Sequence, residues 1–197
     1  MKKPKIAISL DKPLLDLVDS KVDGNIIRSR SQAVEFFLRK GLQEQSINTA
    51  VILLKGEHQK LSVRNIKGMP LIKSQLDFFH KNNINNVFIV TQHTKNINLF
   101  LSELNDSKVN VEVVEKDVKG NANALEAIKN KLKGSFVVMS GDTYNNFDLI
   151  KMAKKHLETD KMAAMGLMTR EKIEGYGTAI LDGDFIVDFH EKPKHSS

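Results

Sequence analysis

Four consecutive apolar residues, Phe136-Val137-Val138-Met139, bounded by Gly134 and Gly141, constrain the fold of this chain more than any other stretch. The run is short and has no polar face, so it predicts a buried strand of a parallel sheet. Ser140-Gly141-Asp142 follows and delivers a carboxylate to the carboxyl end of that strand. In open α/β sheets, ligands bind beyond that end. On this strand alone, Asp142 serves equally well as the opener of a turn.

Ile52, Val90 and Val113 lie in similar runs, each followed by a helix-like segment. Strands are expected over 50–54, 86–91, 109–114 and from Phe136 onward, and helices over 70–83, 94–104, 120–132 and 147–157. Farther on, the pattern predicts a strand over 162–168. A hairpin should then pair 177–181 with 184–190 around Asp182-Gly183. Repeated βα units imply an α/β domain with a Rossmann-like, mostly parallel sheet and right-handed crossovers.

The first residues follow a different rule. Ile6, Ile8 and Leu10 alternate with Lys5, Ala7 and Ser9, a strand with one apolar face. Asp11 is the expected N-cap of a first helix, and Pro13 suits its first turn. Leu14, Leu15, Leu17, Val18 and Val22 form its stripe, and Asp23-Gly24 ends it. Ser29 caps a second helix whose buried face is Ala33, Val34, Phe37, Leu38 and Leu42. One strand and two helices cannot close a core, and a lone strand is an unpaired edge. Two copies that pair their strands over four helices solve both problems.

This β-α-α pattern resembles the ribbon-helix-helix family over residues 4–43, although the loop from Asp23 to Arg28 is long for it. The resemblance implies a homodimer or higher assembly whose ribbon enters the DNA major groove. Lys5, Ala7 and Ser9 would face the bases. Ser29, Arg30 and Ser31 would hold a phosphate at the start of the second helix. A dimerisation module without DNA binding is the alternative. The expected division is a ribbon-helix-helix domain over 1–43, a polar linker over 44–49 and the α/β domain over 50–197.

Within the α/β part, five segments stand in a fixed order. Lys55-Gly56-Glu57-His58-Gln59-Lys60-Leu61 follows the first strand, and Lys119-Gly120-Asn121-Ala122-Asn123-Ala124-Leu125 opens a helix. Ser140-Gly141-Asp142 ends a strand. Tyr176-Gly177 starts the hairpin, and Phe189-His190-Glu191-Lys192-Pro193 finishes it. Together they resemble the sugar-phosphate nucleotidyltransferases over residues 50–193. The resemblance implies that a sugar 1-phosphate oxygen attacks the α-phosphate of a nucleoside triphosphate and pyrophosphate leaves, largely by positioning and charge stabilisation. It implies substrate contacts at Gly56, Lys60, Gly120, Ala122, Gly177, Glu191 and Lys192, with Mg²⁺ on Asp142 if the domain is active. The plain alternatives are turn duty for Gly120 and Gly177, and a solvated strand end for Glu191-Lys192.

The departures are large. Lys55, His58, Gln59 and Lys60 stand where the family has Gly, Gly, Thr and Arg. A His where phosphate must approach obstructs a cradle of backbone N–H groups. Lys60 keeps a charge without the bidentate fork of Arg. Only Ser62–Met69 separate Leu61 from Pro70, so the family's next Pro- and Lys-bearing segment is missing; Arg64 or Lys67 is its loose substitute. Asn121 and Asn123 replace Thr and Gly, and the chain stops before a second metal aspartate. The six histidines are scattered without ligand spacing and are expected on surfaces and loops.

Composition narrows the functional classes. No apolar run reaches membrane-crossing length, no secretory leader is visible and cysteine is absent, so a cytoplasmic protein without membrane partners is expected. The net charge of +6 permits nucleic-acid binding without demanding it. The main expectation is a DNA-binding transcriptional regulator whose degenerate nucleotidyltransferase-like domain senses a sugar phosphate, sugar nucleotide or nucleotide. The alternative is an active sugar-phosphate nucleotidyltransferase that uses the N-terminal domain for dimerisation.

Overall fold

Runs of Val and Ile that cannot all face water pair into one sheet. The computed structural model describes residues 6–24, 27–44, 47–159, 161–170 and 175–191. In chain order it contains α1 (Lys12–Asp19), α2 (Arg30–Glu44), β1 (Thr49–Leu53), α3 (Gln59–Ser62), β2 (Asn65–Ile66), β3 (Met69–Pro70) and α4 (Leu71–Lys81). There follow β4 (Asn86–Thr91), α5 (Ile97–Ser102), β5 (Asn110–Glu115), α6 (Asn121–Glu126), β6 (Val137–Ser140), α7 (Leu149–Glu158), β7 (Thr178–Asp182) and β8 (Phe185–His190).

Four strands form a parallel sheet in the order β5-β4-β1-β6. Alternate residues of β1 feed two cores. Ala50 and Ile52 join Ile72, Leu76 and Phe79 of α4, Phe100 of α5 and Leu149 of α7 on one face. Val51 joins Val90, Ala124 of α6 and Ile128 on the other. The sheet is thus sandwiched between helices, which explains why its central strands lack a polar face. Leu71, Ile72, Leu76 and Phe79 are all buried, so α4 presents the predicted stripe.

Several expectations change. The Phe136 run joins the parallel sheet as expected but is not wholly buried: β6 is an edge strand, and Val138 is 43% exposed. An apolar run marks a strand that prefers burial, but its place in the sheet is set by the crossovers. The strand expected over 162–168 does not form. Met162, Met165, Leu167 and Met168 are exposed there, because alternation cannot reveal whether a sheet edge is within reach. The helix expected over 120–132 is broken into α6 and a short 3₁₀ turn at Lys129–Lys131. The hairpin is present as β7 and β8, antiparallel, turning through Gly183 at φ +57°.

In the N-terminal part, Asp11 caps α1 by accepting from the Leu14 N–H at 2.9 Å. The helix ends at Asp19, short of Val22, where the Ser20 hydroxyl donates to the Leu17 carbonyl. Ser29 Oγ accepts from the Gln32 N–H at 3.3 Å, so the predicted cap of α2 is in place. Residues 6–10 carry no strand pairing, and Ile6 is 74% exposed. The Arg30 guanidinium binds both carboxylate oxygens of Asp19, each at 2.7 Å, joining α2 to α1. Lys5 lies outside the described residues, whereas Ala7, Ser9, Ser29 and Ser31 are exposed. No helix among the described residues is long and apolar enough to cross a membrane.

Candidate active site

The chain runs from β1 outward to β4 and β5, then returns to place β6 on the opposite side of β1. The reversal opens a crevice between the carboxyl ends of β1 and β6, where doubly wound sheets bind ligands. Two segments flank it: Lys55–Leu61, leaving β1, and Ser140–Thr143, leaving β6.

The second segment is held tightly. The Gly141 N–H donates to the Leu53 carbonyl at 2.8 Å, extending the sheet by one step. A Cβ on Gly141 would stand 2.9 Å from Ile52 Cγ2 and 3.0 Å from Leu54 Cβ, so the close approach needs glycine. Gln75, buried on α4, donates through Nε2 to the carbonyls of Ser140 and Thr143, both at 2.8 Å. Asp142 is thereby clamped at the crevice mouth. Its Oδ1 accepts from Ser140 Oγ at 2.6 Å and Thr143 Oγ1 at 3.1 Å. Its Oδ2 lies 2.6 Å from His58 Nδ1. Partial burial, the largest single influence, pushes the Asp142 carboxyl upward. The Ser140 and Thr143 donors and the nearby His58 together outweigh it and hold the group below the usual carboxylate range.

The first segment is folded against the turn after β4. Gln59 is fully buried; its Nε2 donates to Thr91 Oγ1 at 3.0 Å and to the Gln92 carbonyl at 2.8 Å, and its Oε1 accepts from Thr94 Oγ1 at 2.5 Å. The Gly56 N–H is turned to Gln92 Oε1. A Cβ there would meet Thr94 Cγ2 at 2.5 Å, so glycine is retained for packing. Lys60 is exposed on α3. Lys67, at φ +53° in the turn between β2 and β3, places its ammonium 4.9 Å from the centre of the Tyr144 ring, two residues beyond Asp142.

The remaining predicted residues are more scattered. Gly120 caps α6 at φ +84°, a backbone shape that favours glycine, and Ala122 is exposed on that helix. Gly177 is required by the hairpin itself, since a side chain there would collide with the Phe189 ring. Glu191 is exposed beside it, and Lys192 lies outside the described residues. β8 is exposed along its length, and Lys155 of α7 reaches the hairpin through an ion pair with Asp184.

The structure brings Asp142 together with His58, which was expected merely to obstruct or to face solvent, whereas Gly56 packs against Gln92 and Thr94. Sequence reasoning missed Gln75, Gln59, Ser140 and Thr143. Gln75 left one trace, because it sits within the apolar stripe of α4 between Ile72 and Leu76, where a polar residue needs a partner.

A parallel α/β sheet with a clamped carboxylate at its switch point, facing the turn of the first strand, defines the class as a doubly wound α/β protein. Residues 54–197 match the Nucleotidyl transferase family, and the chain belongs to it. A relative from Sulfolobus acidocaldarius, provisionally named a mannose-1-phosphate guanyltransferase, is 27% identical over 139 residues, covering 66% of this chain and 37% of its own length. D-glycero-alpha-D-manno-heptose 1-phosphate guanylyltransferase of Aneurinibacillus thermoaerophilus is 29% identical over 84 residues, 42% of this chain and 36% of its own. The chain therefore spans little more than a third of each. The crystal structure of HddC from Yersinia pseudotuberculosis superposes with a TM-score of 0.57 at 18% identity, covering 74% of this chain and 69% of that one, which is a likeness of fold.

These findings correct the main functional expectation. The family and the named relatives are nucleotidyl transferases, which favours the enzyme reading over a DNA-binding transcriptional regulator. The DNA contacts assigned to Lys5, Ala7, Ser9, Ser29, Arg30 and Ser31 find no support among them, and Arg30 is engaged with Asp19.

Proposed function

We propose that this chain transfers a nucleotidyl group from a nucleoside triphosphate to a sugar 1-phosphate. The observation that carries the reading is the clamped Asp142 at the switch point, opposite the turn that follows β1. An oxygen of the sugar phosphate attacks the α-phosphorus, the bond to the bridging oxygen breaks, and pyrophosphate departs. Asp142 has the carboxylate for a divalent cation: one oxygen is oriented by two hydroxyls and the other lies 2.6 Å from His58 Nδ1, which would yield it to the ion. Mg²⁺, common in this family, would supply charge neutralisation on the phosphates there. Lys60 on α3 and Lys67 in the turn between β2 and β3 would neutralise phosphate charge, alongside the exposed Lys55 that leaves β1. Gly120 and Ala122 would border the nucleoside, with Gly177, Glu191 and Lys192 on the sugar-phosphate side. Lys155–Asp184 ties their hairpin to α7.

The exposed Ile6, Ile8, Leu14 and Leu17 support self-association through the N-terminal segment, with a ribbon-helix-helix pairing as its form. The decisive assay is pyrophosphate release across nucleoside triphosphates paired with sugar 1-phosphates. Release that Asp142→Asn lowers by at least about a hundredfold is expected. No release from any pair, with intact folding, would sink the reading.

A further inference from the structure

Both oxygens of the Asp142 carboxylate are engaged within the protein. Oδ1 accepts from Ser140 Oγ and Thr143 Oγ1, and Oδ2 stands 2.6 Å from His58 Nδ1. His58 closes the 3₁₀ turn Gly56–His58, on the loop that flanks the other side of the switch point. Its neighbour Gln59 is fully buried and tied to Thr91, Gln92 and Thr94, so the backbone that carries the ring is fixed. The ring is less confined. The His58 side chain is 31% exposed, and its Nε2 lies 3.7 Å from the exposed Glu57 carboxylate. Rotation about the side-chain bonds of His58 is therefore enough to uncover Asp142 Oδ2, with no movement of the loop.

We propose that His58 caps the Asp142 carboxylate and makes cation binding there conditional on the arrival of a triphosphate. The proposal rests on the reading of Asp142 as a cation ligand and goes beyond it by giving His58 a role. Oδ2 cannot serve the imidazole and a cation at once. A cation that comes alone must break the His58 contact and leaves the ring only water in exchange. A contact to a charged group is among the stronger polar interactions, so its loss weakens the binding of a lone cation. A cation that comes with a triphosphate brings acceptors for the ring: phosphate oxygens take the imidazole N–H while Oδ2 passes to the ion. Cation and triphosphate then bind cooperatively, and by linkage each raises the affinity for the other by the same factor. Because Gln75 clamps the Asp142 loop and Gln59 anchors the other, the exchange is confined to one side chain. Glycine, which the family resemblance leads one to expect at position 58, provides no such cap.

The test is calorimetric titration of the full chain, at one fixed pH, with Mg²⁺ alone and with the preformed complex of Mg²⁺ and inorganic tripolyphosphate. The native chain is compared with His58→Ala, His58→Gly and Asp142→Asn, and circular dichroism verifies folding. Both His58 variants should bind Mg²⁺ alone at least about tenfold more tightly than the native chain does, and bind the complex within about threefold of it. In the native chain, the His58 ring signals of a proton–nitrogen correlation spectrum should move when the complex is added. Asp142→Asn should weaken binding of the complex. A merely structural His58 would make its variants bind both titrants more weakly, which overturns the proposal. If the His58 variants bind Mg²⁺ alone no more tightly than the native chain while Asp142→Asn weakens the complex, the His58 proposal fails and the Asp142 reading stands. If Asp142→Asn binds both titrants as the native chain does, both fail.

Discussion

The sheet domain and the N-terminal helix pair start from similar apolar stripes and treat them differently. Phe79, Phe100, Ile52 and Ile72 are fully buried between the sheet and its helices. In the other region Leu17 stays 63% exposed, Ile8 52% and Leu38 50%, while Val18 and Ala33 are buried where α1 meets α2. Three helices can cover one face of a four-stranded sheet. Among the described residues, the two helices of 8 and 15 residues pack chiefly on each other. The first region buries its apolar residues within itself, and the second leaves much of its apolar stripe in water.

The comparison can be broken from the sheet side first. Phe79→Ala opens a cavity beneath the sheet and should cost about 3–5 kcal/mol in chemical denaturation. A much smaller loss would mean that the core on that face is loosely packed. Gly141→Val inserts carbon atoms against Ile52 and Leu54 and should cost about 1–3 kcal/mol, with loss of pyrophosphate release from displacement of Asp142. Unchanged activity would show that the Asp142 loop has more freedom than its packing implies.

Gln75→Ala sharpens the same point without adding bulk. It deprives two carbonyls of their donor and should cost about 1–3 kcal/mol, lowering activity more than stability alone explains. Ile8→Asp should leave the denaturation of the sheet domain unchanged while shifting sedimentation of the full chain toward a smaller species; an unchanged assembly would remove Ile8 from any interface. Arg30→Ala is expected to have the smallest effect. Its ion pair with Asp19 is exposed and screened, so the melting temperature should barely move, and less so in high salt. A large drop would mean that this pair orders α1 against α2.

The sequence by itself determined the local elements. Asp11 and Ser29 cap the helices predicted from them, β4 runs over Asn86–Thr91 as its pattern requires, and the hairpin turns at Asp182-Gly183. Caps, turns and periodicity act over a few residues, and the chain carries them openly. Asp142 was legible for the same reason, because a strand ending in a carboxylate is a local signal. Tertiary structure decided the rest. It placed β6 at the sheet edge, left 162–168 unpaired and buried Gln75 under the Asp142 loop. It also carried His58 across the chain to the one free oxygen of that carboxylate. Each outcome depends on which crossover returns where, and so on burial shared between residues far apart in the chain. No spacing along the sequence encodes the meeting of His58 and Asp142; only the fold brings them together.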